Sequence, residues 1–140
     1  MTQDQGVENT KPEGGRIPLP EELNGKDKAV YIARLADDQK AEDVTILDVR
    51  GRCNFTDFFI IATCTGRLQM RAVAGRIMRT LRDVGERPYA DSGNTGGGWQ
   101  TLDYGDSVVH LFDQETRDYY RLEQLWSDSK RVKWQEAANQ

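Results

Sequence analysis

Apolar positions recur along the chain with two periods, and the changes between them mark its elements. Asn24 can cap a helix over about 25–40, where Val30, Ile32, Ala33, Leu35 and Ala36 form a stripe at helical spacing. Residues 44–49 (VTILDV) are short and β-branched and read as a strand, with a turn over 50–54. Residues 56–62 (TDFFIIA) end in five consecutive apolar positions, the pattern of a central strand buried on both faces. Thr65 or Gly66 opens a second helix over 67–84. Met70, Val73, Ala74, Ile77, Leu81 and Val84 line one side of it and Gly85 ends it. Residues 87–90 are expected to form a short edge strand, where Pro88 is tolerated. Two alternating segments follow, 99–103 and 107–113. Tyr104 and Gly105 are expected to be their two-residue turn, with Gly105 supplying a positive φ. A last helix is expected over 114–129, burying Tyr119, Leu122, Leu125 and Trp126.

The order α-β-β-α-(β)-β-β-α predicts an α/β domain with a mixed β-sheet of about four to five strands flanked by helices. Residues 1–23 hold three of the four prolines and little that could enter a core, so a disordered N-terminal tail is expected there. The folded domain is expected over 24–129 and a flexible tail over 130–140. The chain starts without the basic and apolar segments of a leader, and no apolar run reaches the roughly 20 residues that span a bilayer. A cytoplasmic protein that engages no membrane is expected.

Charge narrows the partners. The net charge is −4 and the pI near 5.0, which argues against general nucleic-acid binding, because such affinity comes from neutralising phosphates. The second helix reverses that sign locally. It carries Arg67, Arg71, Arg76, Arg79 and Arg82 and no acid before Asp83. Most of these fit a solvated face, but Arg67 and Arg71 lie one turn apart and can make a secondary electrostatic contact with phosphates or an acidic partner.

Candidate chemistry is sparse. Asp48, Asp57, Asp103, Asp106 and Asp113 fall at or near strand ends, where paired carboxylates could hold a divalent metal. The glycines at 96–98 precede a strand, not a helix N-terminus, so they make a poor phosphate cradle. Turn and cap roles are the preferred reading of these acids. Cys53 and Cys64 lack metal-site spacing and read as structural free thiols. His110, on an alternating strand, reads as a hydrogen-bonded structural histidine before a general base. Trp99 admits two readings, a core residue sealing the sheet or a binding hot spot beside a glycine loop.

The segments DVTILDV, TDFFIIA, LDYGD with Val109-His110, and YYRLEQLW occur in that order across about 30–128. Together they resemble the ribosomal silencing factor family, also called Iojap. The resemblance implies a nucleotidyltransferase-like fold without catalysis and a non-enzymatic role needing no cofactor or metal. It implies binding to the large ribosomal subunit through a ribosomal protein on its intersubunit face, steric exclusion of the small subunit, and lowered translation under nutrient limitation. Dimers are a further implication. The implied partner-binding residues are Trp99, Gln100, Leu102, Asp103 and Tyr104. The family's Glu-Gly pair ahead of the tryptophan is replaced here by Asp91-Ser92-Gly93 and a glycine-rich insertion. The rival readings are a divergent nucleotidyltransferase acting through Asp57, Asp103 or Asp106, and a homodimeric scaffold with no ribosomal role.

Overall fold

The computed structural model of the chain describes Ile17 and residues 23–94 and 97–135. Helix α1 (Gly25–Asp38) leads into strands β1 (Glu42–Asp48) and β2 (Phe58–Thr63), then helix α2 (Arg67–Arg82). Strands β3 (Ala90–Asn94), β4 (Trp99–Asp103) and β5 (Ser107–Phe112) follow, then two short helices, α3 (Gln114–Tyr120) and α4 (Leu122–Leu125), and strand β6 (Lys130–Val132). The six strands form one sheet in the order β3-β4-β5-β2-β1-β6. Among the described residues, only the central β2–β5 strand pair is parallel. Every residue of both strands is buried, which their unbroken apolar runs require.

The sheet is covered unequally. On one face, α1 and α2 bury Ile32, Leu35, Met70 and Ile77 against Phe58, Ile60, Leu102, Val109 and Leu111. On the other face, Leu47, Phe59, Ile61, Val108 and Phe112 form a smaller cluster with Trp99, Leu122 and Trp126 packed on it. The N-terminus of α1 is tied down from a distance. Asn24 stands at the cap position but its side chain makes no cap bond. Instead Asp106, in the β4–β5 turn, accepts from the Gly25 N–H at 3.0 Å and pairs with the buried Lys28 ammonium at 3.0 Å. Lys28 also pairs with Glu86 just past α2, at 2.7 Å.

Several sequence expectations are corrected. The sheet has six strands, not four to five. Strand β3 lies beyond Pro88, at Ala90–Asn94, where each residue can pair with β4. The Tyr104 backbone N–H donates to the Ser107 carbonyl at 2.8 Å, so the two-residue turn is Gly105–Asp106, one position later than expected, with Gly105 at φ +88°. The last helix is broken at Arg121, which takes the left-handed conformation at φ +51°. The break leaves Tyr119 and Leu125 exposed while Leu122 and Trp126 face the sheet. Val84 falls beyond the end of α2 and is partly exposed.

The largest correction concerns the C-terminus. Lys130–Val132 forms β6 and closes the outer edge of β1, which otherwise would leave its backbone groups open. Trp134 follows and is buried, its indole N–H donating to the Val44 carbonyl at 2.8 Å. The expected N-terminal tail lies mostly outside the described residues, although Ile17 and Leu23 pack on the larger core cluster. We expect Trp134→Ala to destabilise the domain by about 3 kcal/mol or more, the usual cost of emptying a buried tryptophan site. An unchanged urea midpoint in that variant would mean that β6 and Trp134 add nothing to the fold.

Candidate partner-binding face

The smaller cluster continues outward into an aromatic surface. Alternation along β4 puts Trp99 and Asp103 on the α3–α4 side and Gln100, Leu102 and Tyr104 on the other. Gly98 positions Trp99. Its φ is +83°, and a Cβ there would strike the Asp113 carboxylate that caps α3, so only glycine lets the strand start against that helix. The half-buried Trp99 ring packs on Phe112 at 5.2 Å and on Tyr120 at 4.8 Å between centroids. From there the aromatic row runs through His110 to Phe59, Trp126 and Phe55.

Four large side chains of α3, α4 and the 50–57 turn are solvent-facing. Phe55 is 65% exposed, Tyr119 79%, Tyr120 51% and Leu125 74%. Sequence reasoning missed all four as surface residues. A continuous helix would bury Tyr119 and Leu125; the break at Arg121 turns both outward. The available signal for Phe55 was an aromatic residue in the otherwise polar Arg50–Asp57 turn.

His110 is 8% exposed and accepts a 3.3 Å hydrogen bond at Nδ1 from the Trp99 indole N–H. Its Nε2 has no partner among the described residues. This geometry makes it a neutral strut that orients Trp99. Burial pushes its pKa down to about 4.

The other sequence-selected residues divide by position. Gln100 is half-buried and donates to Asp91 at 2.9 Å. Asp103 accepts from the Gly105 N–H at 2.8 Å. Leu102 and Tyr104 lie in the large core, so they support the strand and offer no surface of their own. Burial pushes the Tyr104 phenol up to about 12. Of the remaining strand-end acids, Asp48 and Asp113 serve the turn and cap chemistry expected of them, and Asp106 holds the start of α1. Asp48 holds Arg50 at 2.7 Å, which keeps its carboxyl below the usual range, and Asp113 accepts from the Thr116 N–H at 2.8 Å. Among the described residues, no three His, Cys, Asp or Glu side chains gather as a metal site would require. Cys53 and Cys64 are free, and burial raises the Cys64 thiol to about 11.

A second polar knot fixes the cover of this face. Arg117 is buried on α3 and donates to Glu123, to the Asp43 carbonyl at 2.8 Å and to Thr63 Oγ1 at 2.7 Å. One guanidinium therefore joins α3, α4, β1 and β2. Burial works to raise the Glu123 pKa, but the Arg117 hydrogen bonds and charge outweigh it and the pKa is lowered.

The buried imidazole makes stability depend on pH. Unfolded, His110 takes a proton near pH 6.5; folded, only near 4. The unfolded chain thus binds more protons between these values, and stability falls as pH drops through that window. We expect a loss of roughly 2 kcal/mol between pH 6.5 and 5, flattened in His110→Gln. Urea midpoints that do not move across this range would rule out the buried neutral imidazole.

Comparison with known proteins supplies the remaining constraint. Residues 22–140 match the family described as "Ribosomal silencing factor during starvation", RsfS. The chain is 34% identical over 107 residues to the ribosomal silencing factor RsfS of Bacillus subtilis, covering 76% of this chain and 91% of that protein. It is 36% identical over 107 residues to the chloroplastic protein Iojap of Arabidopsis thaliana, covering 74% of this chain but only 43% of the longer plant protein. A crystal structure from Bacillus halodurans superposes with a TM-score of 0.66 at 31% identity, covering 77% of this chain and 99% of that one. The α/β sheet and these matches agree along the described domain, and the chain belongs to the ribosomal silencing factor family.

Proposed function

We propose that this chain is a non-enzymatic, cytoplasmic translation repressor. It binds the large ribosomal subunit through a ribosomal protein on the intersubunit face and sterically blocks joining of the small subunit. The observation that carries this reading is the aromatic surface around Trp99. The half-buried Trp99 packs on exposed Tyr120, which meets exposed Tyr119, and exposed Phe55 stands at the other end of the same aromatic row. Such contiguous apolar exposure on a folded domain marks an interaction surface, and aromatic residues dominate binding hot spots.

Trp99 is the anchor in this reading. Asp103 shares its side of β4, and Gln100 shapes the strand from the opposite side. Leu102 and Tyr104 act from within by holding β4 in place. Occlusion needs no turnover. A standard interface hides roughly 800 Å² per partner, an area that one sheet face and its flanking helices can supply. The rival enzyme reading loses support from the site itself, because Asp103 and Asp106 are engaged in turn, cap and ion-pair contacts.

The test is sedimentation of separated ribosomal subunits at joining magnesium, with and without the protein. We expect the protein to travel with the large subunit and the joined peak to shrink. Trp99→Ala should weaken binding by about 2 kcal/mol or more, roughly 30-fold. Because Trp99 also packs on the sheet, the exposed-site variants Phe55→Ala and Leu125→Ala provide a check that spares the core. Normal binding by a folded Trp99→Ala variant would remove the site assignment. Undiminished subunit joining would remove the function. If light scattering shows a dimer and the protein does not travel with ribosomes, the scaffold reading replaces both.

A further inference from the structure

Helix α2 is arranged against its own electrostatics. Its sequence, RLQMRAVAGRIMRTLR, holds five arginines and no acid. Arg76 alone turns to α1, where it pairs with Asp38 at 2.8 Å. The other four, Arg67, Arg71, Arg79 and Arg82, are exposed and make no ion pair among the described residues. At 100° per residue they fall within an arc of about 120°. Arg67, Arg71, Gly75 and Arg79 form a row at four-residue spacing, where like charges repel. A Cβ on Gly75 would come within 3.0 Å of Arg79 Nη1, so that guanidinium lies back along the row over the glycine. Arg67 also stands in the first turn, at the positive end of the helix dipole, where a cation is disfavoured. Asp83 offers some balance at the far end; nothing on α2 does so at its start.

The fold places the start of this row at the same end of the sheet as Trp99, on the opposite face. Trp99 pairs with Phe112, and Phe112 pairs with Thr63, so all three lie at one end of the sheet. Helix α2 begins four residues after Thr63. Gln69 pins that end by donating to the Gln39 and Lys40 carbonyls at 3.2 and 2.9 Å. Arg67 and Arg71 therefore project from the same end of the domain as Trp99, with the sheet between them.

We propose that the outward face of α2, across the sheet from Trp99, docks on an RNA phosphate backbone, so that two surfaces at one end of the domain hold the partner. This rests on the ribosomal reading above. The occupant follows from charge and shape. Four uncompensated guanidiniums spread over about 22 Å of helix match a line of regularly spaced anions. The planar guanidinium fork fits phosphate oxygens two at a time. The acidic remainder of the chain repels RNA elsewhere, which orients the approach through this one row.

The experiment uses the full chain, the Arg67→Gln/Arg71→Gln and Arg79→Gln/Arg82→Gln doubles, and Trp99→Ala. Glutamine favours helix, so thermal unfolding should show the doubles as stable as the parent. Affinity for purified large subunits is measured across a salt series, and binding to a short RNA duplex is measured by fluorescence anisotropy at low salt. We expect each arginine removed to lower the salt slope by about 1, so about 2 for Arg67→Gln/Arg71→Gln. Duplex binding should be lost in that double and kept in Trp99→Ala. If the slope and the duplex binding are both unchanged in the doubles while large subunits still bind, this inference falls and the proposed function stands. If the parent ignores large subunits but binds the duplex through these arginines, the proposed function falls and the RNA-docking row survives. If a poly-glutamate peptide of matched charge binds as tightly as the duplex, the row serves an acidic protein and the inference is overturned.

Discussion

The structure depends on a central strand pair that is buried from both sides. β2 and β5 run parallel with every residue out of solvent, so neither face of the sheet can be left open at its middle. A parallel pair also needs a long connection, and α2 lies within it. One requirement thus explains the two-layer core under α1 and α2 and the need for a second cover under α3 and α4. That second cover is small. Seven residues of α3 and four of α4 cannot roof a six-stranded sheet, and the aromatic rim around Trp99 is what remains uncovered.

Two buried cations hold these layers in register. Lys28 joins the start of α1 to the β4–β5 turn and to the loop after α2. Arg117 joins α3 and α4 to β1 and β2. Buried charges like these are weak contributors to net stability, since desolvation offsets much of their attraction. Their value here is geometric. Each is satisfied only when segments far apart in sequence meet, so each rewards one arrangement. Arg117 gripping Glu123 requires the chain to turn at Arg121, and that turn presents Tyr120 to Trp99 and Trp126 to Phe59.

The proposed function draws on this division of labour. The large core and the two cation knots make a rigid frame, while the interaction chemistry sits in what the frame leaves outside. Trp99 is poised between the two roles. Its ring is packed and its indole is hydrogen-bonded to a neutral histidine, so it is held ready with little freedom left to lose. Its sequence context left an even choice between core and interface; the packing on Phe112 and the smaller cluster supports the core side of it, and the interface role belongs to the proposal.

Much of the fold was legible because it rests on local periodicity. The stripe of α2, the unbroken run of β2 and the alternation of β4 and β5 each follow from which side of an element must be dry. Asp48, Asp103 and Asp113 were legible for the same reason, since their turn and cap bonds are local; Asp106 was not, because it bonds Gly25 and Lys28 from far along the chain. What the chain alone could not reveal depends on distant partners. Lys130–Val132 is too short and polar to announce a strand; it becomes one because β1 has an open edge. The helix break at Arg121 carries no glycine or proline signal; it follows from where Arg117 finds Glu123. Leu102 and Trp99 are near neighbours in sequence, yet the pleat sends one into the core and the other toward solvent. The sequence by itself determined the elements, the acidic balance and the basic helix. Only the tertiary structure decided which side chains remain outside, because exposure is what is left once distant segments have packed against one another.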